Sequence, residues 1–136
     1  MLRSSLFYSL FIFLFSATLS AQNESLSLTI KFSGTSGTSG NIMLRISDSK
    51  GKELKLLNFP ADAQPLEIKV KLEPGSYAIA AYHDANDNKK LDKSFTGIPS
   101  ENYGFSNNAR GTFGPPSLSD QLFDLKSETS ISIELK

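Results

Sequence analysis

Residues 65–83 read PLEIKVKLEPGSYAIAAYH, and this stretch decides the fold. Between Leu66 and Leu72 apolar side chains alternate with charged ones, which is the period of a half-buried strand. Glu73-Pro74-Gly75 predicts a turn, because proline presets the backbone and glycine accepts a positive φ. From Ser76 to His83 both faces are apolar, so we predict a central strand that is covered on both sides.

The same two-residue period recurs on both sides of this pair. It predicts further strands at Ser25–Phe32, Asn41–Ser47, Lys52–Phe59, Gln121–Leu125 and Thr129–Leu135. Gly34–Gly40 (GTSGTSG) is a flexible connector by composition, and Asp48–Gly51 (DSKG) is a turn. Only Ser117–Gln121 has room for one helical turn. We therefore predict an all-β chain: an antiparallel β-sandwich of about seven strands.

The N-terminus has the layout of a secretory signal. Arg3 is followed by the apolar run from Leu6 to Phe15 and then by small residues up to Ala21. The run is too short for a membrane span, which needs about 20 apolar residues. We predict a signal peptide over residues 1–21, a single domain over residues 22–136, no membrane span after cleavage, and a periplasmic or extracellular location.

The composition excludes several classes of function. The 14 basic and 14 acidic residues balance, so the whole chain offers no electrostatic footprint for nucleic acid or an anionic membrane. The absence of cysteine from the sequence excludes disulfides and, with a single histidine, argues against a zinc site. The sequence contains neither a phosphate-binding P-loop nor a nucleophile-elbow motif. Stability must therefore come from packing, or from packing and a bound ion.

The sharpest motif is the acidic loop HDANDNKKLD at residues 83–92. Oxygen atoms on alternate residues of a curled segment suit Ca²⁺, which takes six to eight such ligands. The predicted metal ligands are Asp84, Asn86, Asn88, the backbone carbonyl of Lys90, and Asp92. Lys89 stands where calcium loops have glycine, and Phe95 stands where a closing glutamate is usual. The alternative is a polar turn whose Asn and Asp side chains cap their own backbone.

A long segment from Asp84 to Pro116 separates the central strand from the last two strands. Long loops in small domains are often functional, and this one mixes aromatic and amide side chains that suit sugars and peptides. The predicted binding surface comprises His83, Glu101, Tyr103, Phe105 and Asn107. The alternative is that Tyr103 and Phe105 pin the loop onto the sandwich. A lone histidine at a strand end is more often structural than catalytic.

The chain resembles an exported bacterial family called domain of unknown function 2141. The residues that carry the resemblance are Pro74-Gly75-Ser76-Tyr77, His83-Asp84, Asn86, Leu91-Asp92, Gly97-Ile98-Pro99, Glu101, Tyr103 to Asn107, and Gly114-Pro115-Pro116. The family usually reads Asn-Gly-Asn-Gly-Lys-Leu-Asp in the acidic loop, whereas here Asp87 and Lys89 replace the two glycines. The resemblance implies export, a transthyretin-like or carboxypeptidase-regulatory-like sandwich, and no established activity.

Two functions follow as hypotheses. The first is a non-enzymatic binding or structural module whose long loop is the working surface, with a cell-envelope protein or a glycan as partner and Ca²⁺ as the one candidate cofactor. The alternative is a carbohydrate-active or hydrolytic enzyme that uses the loop carboxylates Asp84, Asp92 or Glu101. Glycoside hydrolysis needs two carboxyl groups facing each other across a cleft, and that requirement separates the two hypotheses.

Overall fold

The structure is a computed structural model and describes residues 24–136. The predicted signal peptide, residues 1–21, lies outside the described residues. The strands are β1 (Leu26–Ser33), β2 (Asn41–Asp48), β3 (Glu53–Pro60), β4 (Glu67–Leu72), β5 (Gly75–Asp84), β6 (Tyr103–Phe105), β7 (Phe123–Leu125) and β8 (Thr129–Glu134). Among residues 24–136, a 3₁₀ turn spans Ser106–Asn108 and a single short helix, α1, spans Leu118–Gln121, where the sequence predicted a helical turn.

Two sheets pack face to face. The smaller sheet has the order β4-β1-β8, and the larger has the order β3-β2-β5-β6, with β7 paired to the start of β5. The prediction of an all-β chain is confirmed. The strands are mostly antiparallel, but β1 and β8 are parallel, with Ile30 opposite Ile131. The chain crosses between the two sheets before it reaches β8, so β8 is free to enter beside β1 in the same direction.

The core lies between the sheets and is built from the alternating residues that the sequence marks. Leu28 and Ile30 of β1, Leu44 of β2, Ile79 of β5 and Ile133 of β8 are almost completely buried. Burial of each such side chain is worth about 1.5–3 kcal/mol, which is how a chain without cysteine holds its fold.

The central position of β5 is confirmed. β5 pairs with β2 on one side and with β6 and β7 on the other. Tyr77, Ile79 and Ala81 face the core, while Ala78 is buried on the opposite face. The outer face of β5 is covered at Ala78, whereas Ala80 and Tyr82 on the same face are only half-buried, so the predicted cover on both sides is found for part of the strand.

The long loop contains an eighth strand that the sequence prediction missed. β6 has only three residues, too few to display a two-residue period. Its Tyr103 exchanges backbone hydrogen bonds with Lys136, at 3.1 and 2.9 Å, and so joins the larger sheet to the chain end. A Cβ on Gly104 would lie 2.5 Å from the carbonyl oxygen of Glu134, so this close approach requires glycine. Within residues 24–136, no helix is long and apolar enough to span a bilayer.

Candidate functional site

The acidic loop begins at Asp84, the last residue of β5, whose side chain is completely buried. Its carboxylate accepts hydrogen bonds from the backbone N–H groups of Asn88, at 3.0 Å, and Lys89, at 2.8 Å. Asp87 and Lys89 adopt positive φ angles of 57° and 65°. The loop therefore curls as the motif predicts, and its two left-handed residues are those that replace the glycines of the related pattern.

Glu101 closes the acidic loop from outside. One carboxylate oxygen accepts the backbone N–H of Ala85 at 3.1 Å, and the other accepts the backbone N–H of Asp92 at 3.0 Å. A single side chain thus fastens both ends of the loop, because each oxygen holds one end.

The side-chain amides of Asn86 and Asn88 point their nitrogen atoms toward the Asp92 carboxylate. Asn86 Nδ2 donates to Asp92 Oδ2 at 2.7 Å, and Asn88 Nδ2 donates to Asp92 Oδ1 at 2.8 Å. Their Oδ1 atoms accept the backbone N–H groups of Asn88 and Lys90. Each amide oxygen accepts one of these bonds and keeps a second lone pair, so the backbone bonds shape the turn without excluding a cation.

Apart from the motif and the curl of the loop, the described residues give no further support for a metal site. Among residues 24–136, no group of three or more His, Cys, Asp and Glu side chains converges on one point. Phe95, at the position of the usual closing glutamate, is fully exposed. The calcium site at Asp84, Asn86, Asn88, Lys90 and Asp92 stays a prediction.

His83, a residue of the predicted binding surface, is buried: only 1% of it is accessible. Its Nδ1 accepts the backbone N–H of Ser36 at 3.2 Å, and its Nε2 lies 2.7 Å from the carbonyl oxygen of Ser39, to which it donates. The imidazole therefore fastens the Gly34–Gly40 connector to β5, which is a structural task.

Asn107 also serves the fold. It adopts a φ of 60°, and its Nδ2 donates to the carbonyl oxygens of Asp120, at 3.0 Å, and Leu122, at 2.8 Å. The neighbouring Ser106 is completely buried, and its hydroxyl accepts the N–H of Ile79 at 3.0 Å. Ser106 could not be predicted from the sequence, because a serine in a polar loop carries no signal of burial.

Tyr103 and Phe105 lie together on the outer face of the larger sheet. Their rings are 5.9 Å apart in an edge-to-face arrangement at 83°. The Arg110 guanidinium carbon lies 5.6 Å from the centre of the Tyr103 ring, and the guanidinium donates to the carbonyl oxygens of Tyr103 and Glu134. Strand pairing explains the position, because it sets Tyr103 opposite Tyr82 and Phe105 opposite Ala80.

The strand register builds a surface from these rings. Two rows of side chains cross the outer face from β3 to β6: Leu56, Arg45, Ala80 and Phe105 form one row, and Asn58, Met43, Tyr82 and Tyr103 form the other. Over these rows lies a groove of about 460 Å³, to which the long loop contributes Lys89, Leu91 and Pro115. On β3 the groove is bounded by Leu56, whose exposed side chain lies on the side of the strand away from the core. A leucine on that side of a strand is the sequence feature that indicates this part of the groove.

The Tyr82 hydroxyl in the groove is kept in its neutral form. Burial raises the pKa of the Tyr82 hydroxyl, and the carboxylates of Asp84, Glu101 and Asp92 raise the pKa further. The phenol therefore stays a neutral hydrogen-bond donor at physiological pH. Of the residues in the described chain that line the groove, Glu53 is the one carboxylate. Asp84, Asp92 and Glu101 point into the acidic loop and do not face each other across the groove.

Comparisons with known proteins give one match. No curated protein and no solved structure is similar enough to the chain to be matched. A family model described as "Uncharacterized protein conserved in bacteria (DUF2141)" matches residues 30–133, well over half of the sequence. The match confirms the resemblance that the loop motif carries, and the chain belongs to this bacterial family.

Proposed function

We propose that the chain is an exported, non-enzymatic binding module of the periplasm or the cell exterior, and that its groove binds an apolar segment of a cell-envelope protein. The observation that carries the proposal is the groove, with the rings of Tyr82, Tyr103 and Phe105 side by side on a rigid sheet. Concave, mostly apolar sites with a few polar groups are the usual form of binding sites. The apolar run before Ala21 supports export.

The groove's chemistry favours a peptide over a sugar. Met43, Leu56, Leu91 and Pro115 surround the rings, so most of the lining is aliphatic. Arg45, Glu53 and Lys89 supply charged groups at the lining, which can orient a bound segment.

The same proposal assigns the sandwich to the transthyretin-like or carboxypeptidase-regulatory-like class. The support is the division of the strands into a smaller sheet around β1 and a larger sheet around β2 and β5. An experimental structure tests this by superposition, and a different strand order in the larger sheet would contradict it.

The experiment is an NMR titration of the protein with a capped peptide of alternating leucine and threonine. We expect amide shifts confined to β5, β6 and the groove wall. Leu56→Ala should weaken binding about tenfold, because it removes part of a contact worth about 1.5–3 kcal/mol. Leu54→Ala is the matched control, since Leu54 is an exposed leucine of the same strand outside the groove lining.

The titration also separates the alternatives. Shifts with chitotriose and none with the peptide would move the partner from protein to glycan. Cleavage of the saccharide, abolished by Asp92→Asn or Glu101→Gln, would favour the enzyme hypothesis. That hypothesis has less support because both carboxylates already accept hydrogen bonds within the loop.

Calcium in the acidic loop is a second proposal. The observation that favours it is that Asn88 contacts the carboxylates of both Asp84 and Asp92, so the loop already gathers oxygen atoms in one turn. The test is the melting temperature of the protein with Ca²⁺ and with chelator. A ligand at a hundred times its Kd adds about 2.7 kcal/mol. Overlaid curves, for the protein and for Asp92→Asn, would end the proposal.

A further inference from the structure

Ser36 of the Gly34–Gly40 connector and His83 of β5 form a pair that has no part in the lining of the groove. Ser36 Oγ lies 3.1 Å from His83 Nδ1. Ser36 is exposed, whereas the imidazole is buried. A serine hydroxyl bonded to an imidazole nitrogen becomes a nucleophile when that nitrogen carries a lone pair and a third group orients the ring. Both conditions are met here.

The backbone fixes the tautomer of His83. Its Nε2 lies 2.7 Å from the carbonyl oxygen of Ser39, which can only accept, so Nε2 carries the proton. Its Nδ1 lies 3.2 Å from the backbone nitrogen of Ser36, which can only donate, so Nδ1 carries the lone pair. The Ser36 hydroxyl therefore donates to Nδ1 and shares the lone pair with the N–H. His83 is the base of the pair, and the Ser39 carbonyl orients it.

The connector is held at both ends, so the pair is formed before any reagent arrives. Asn102 Nδ2 donates to the carbonyl oxygen of Gly34 at 2.7 Å. The carbonyl oxygen of Gly40 accepts the N–H of Ala61 at 3.1 Å. The side chains of this connector and its neighbours therefore keep Ser36 over the imidazole nitrogen.

The space beside Ser36 is open. A Cβ on Gly37, the next residue, would meet no atom within 4 Å. Within residues 24–136, the N–H of Gly37 has no hydrogen-bond partner. The N–H that follows a nucleophilic serine is a usual donor to the oxygen that becomes negative in acyl transfer. A reagent can thus approach Ser36 at the point where such a donor is unoccupied.

We propose that Ser36 is a site of covalent acylation by activated esters of small carboxylic acids. Ser36 Oγ attacks the carbonyl carbon of the ester, and the hydroxyl proton passes to His83 Nδ1. The ester C–O bond then breaks, the leaving group departs as an anion, and the proton is released to solvent. The products are an acyl-serine and the anion of the alcohol or phenol. A base so placed accelerates such a step about a hundredfold or more.

The burial of His83 sets the class of reagent and stops the reaction at the acyl-serine. A buried ring cannot hand its proton to a departing alkoxide, so the leaving group must be weakly basic. Hydrolysis of the acyl-serine needs a water molecule within hydrogen-bond reach of Nδ1, which the Ser36 N–H and Oγ already cover. The acyl group therefore stays on the chain, in agreement with a module that does not turn over a substrate.

The experiment is acetylation of the protein by p-nitrophenyl acetate, with each modified residue identified by peptide mass spectrometry. The protein is purified after export from a bacterial host, so that wild type and variants carry the same N-terminus. Reading each site separately distinguishes Ser36 from lysine amines, which also react. Ser36 should acetylate about a hundredfold faster than Ser39, an exposed serine of the same connector whose hydroxyl contacts no imidazole nitrogen.

Three variants test the pair. Ser36→Ala keeps the backbone N–H bond to His83, so its melting temperature should stay close to that of wild type while the fast site disappears. Ser39→Ala is the matched control, because Ser39 contacts His83 through its backbone carbonyl, and acetylation of Ser36 should be unchanged. His83→Asn keeps an acceptor but removes the base, and should slow acetylation of Ser36 about a hundredfold.

A second measurement replaces His83→Asn if that variant does not fold. Wild type unfolded in urea separates Ser36 from His83, and the two serines of the connector should then react at the same rate.

The outcomes decide the proposal. Selective acetylation of Ser36 that needs both the folded chain and His83 supports it. Equal rates for Ser36 and Ser39 in the folded wild type, or an unchanged rate in folded His83→Asn, overturn it. Continuous release of p-nitrophenol that Ser36→Ala abolishes also overturns it, because the pair would then be a hydrolase. None of these results depends on whether the groove binds a peptide.

Discussion

Replacing Glu101 by glutamine tests whether this carboxylate is a structural fastener of the acidic loop. The side chain accepts the N–H groups of Ala85 and Asp92 at 3.1 and 3.0 Å. Glutamine keeps one acceptor oxygen and turns an NH₂ group toward the other N–H, so one charge-assisted hydrogen bond is lost. Such a bond contributes about 1.5–3 kcal/mol when buried. Because Ala85 is exposed and can bind water instead, we expect a loss of about 1–2 kcal/mol.

The assay is thermal and urea unfolding at neutral pH, with NMR of the two amides. A loss of 1.5 kcal/mol lowers the Tm of a domain of this size by about 6 °C. Glu128→Gln is the matched control, because Glu128 is exposed and such surface changes stay within about 0.5 kcal/mol. If Glu101→Gln melts with the control, and the amide protons of Ala85 and Asp92 do not shift, the fastener role is refuted.

Three further predictions concern the scaffold. Ser106→Ala should cost about 1–3 kcal/mol in urea unfolding, because it leaves the buried N–H of Ile79 without a partner. Gly104→Ala should cost about 1–3 kcal/mol and shift the β6 amides, since its Cβ would lie 2.5 Å from the Glu134 carbonyl oxygen. Backbone N–H groups lower the pKa of Asp48 below 3.8. The ionised Asp48 carboxylate therefore stabilises the folded state fully above its ordinary pKa of 3.8, and this stabilisation is lost as the pH falls through the lowered pKa. Asp48→Asn should flatten the loss of folding stability between about pH 5 and 2.

The strands could be predicted from sequence wherever the pattern was long enough. β1, β2 and β4 each show the two-residue period over six or more residues, and β5 is recognisable because both of its faces are apolar. β6 has three residues, and its pairing depends on β5 and the chain end, which are remote in sequence. The parallel pairing of β1 with β8 is likewise a property of the whole chain path.

In the acidic loop, too, nearby residues determine one feature and a residue distant in sequence determines another. Its curl could be predicted, because oxygen-bearing residues at alternate positions indicate a curled segment; Asp87 and Lys89 adopt left-handed backbone there even without glycine. The orientation of the polar side chains in the loop could not be predicted. It depends on Glu101, which binds the loop from nine residues beyond Asp92. His83 is buried and Asn107 is exposed, yet both bind neighbouring backbone. Polar side chains that fasten a neighbouring segment look, in sequence, like side chains that await a ligand.

The acidic loop forms part of the groove, so the hydrogen bonds that hold the loop also hold that part of the groove. Asp84 and Glu101 hold the loop by four backbone N–H groups, and the loop in turn places Lys89 and Leu91 over the rings of β5 and β6. Loosening the loop should therefore weaken groove binding without any change to the sheet. A ligand that binds Glu101→Gln as well as it binds wild type would have to contact only the sheet rows, and its site would then be the open part of the groove near Leu56.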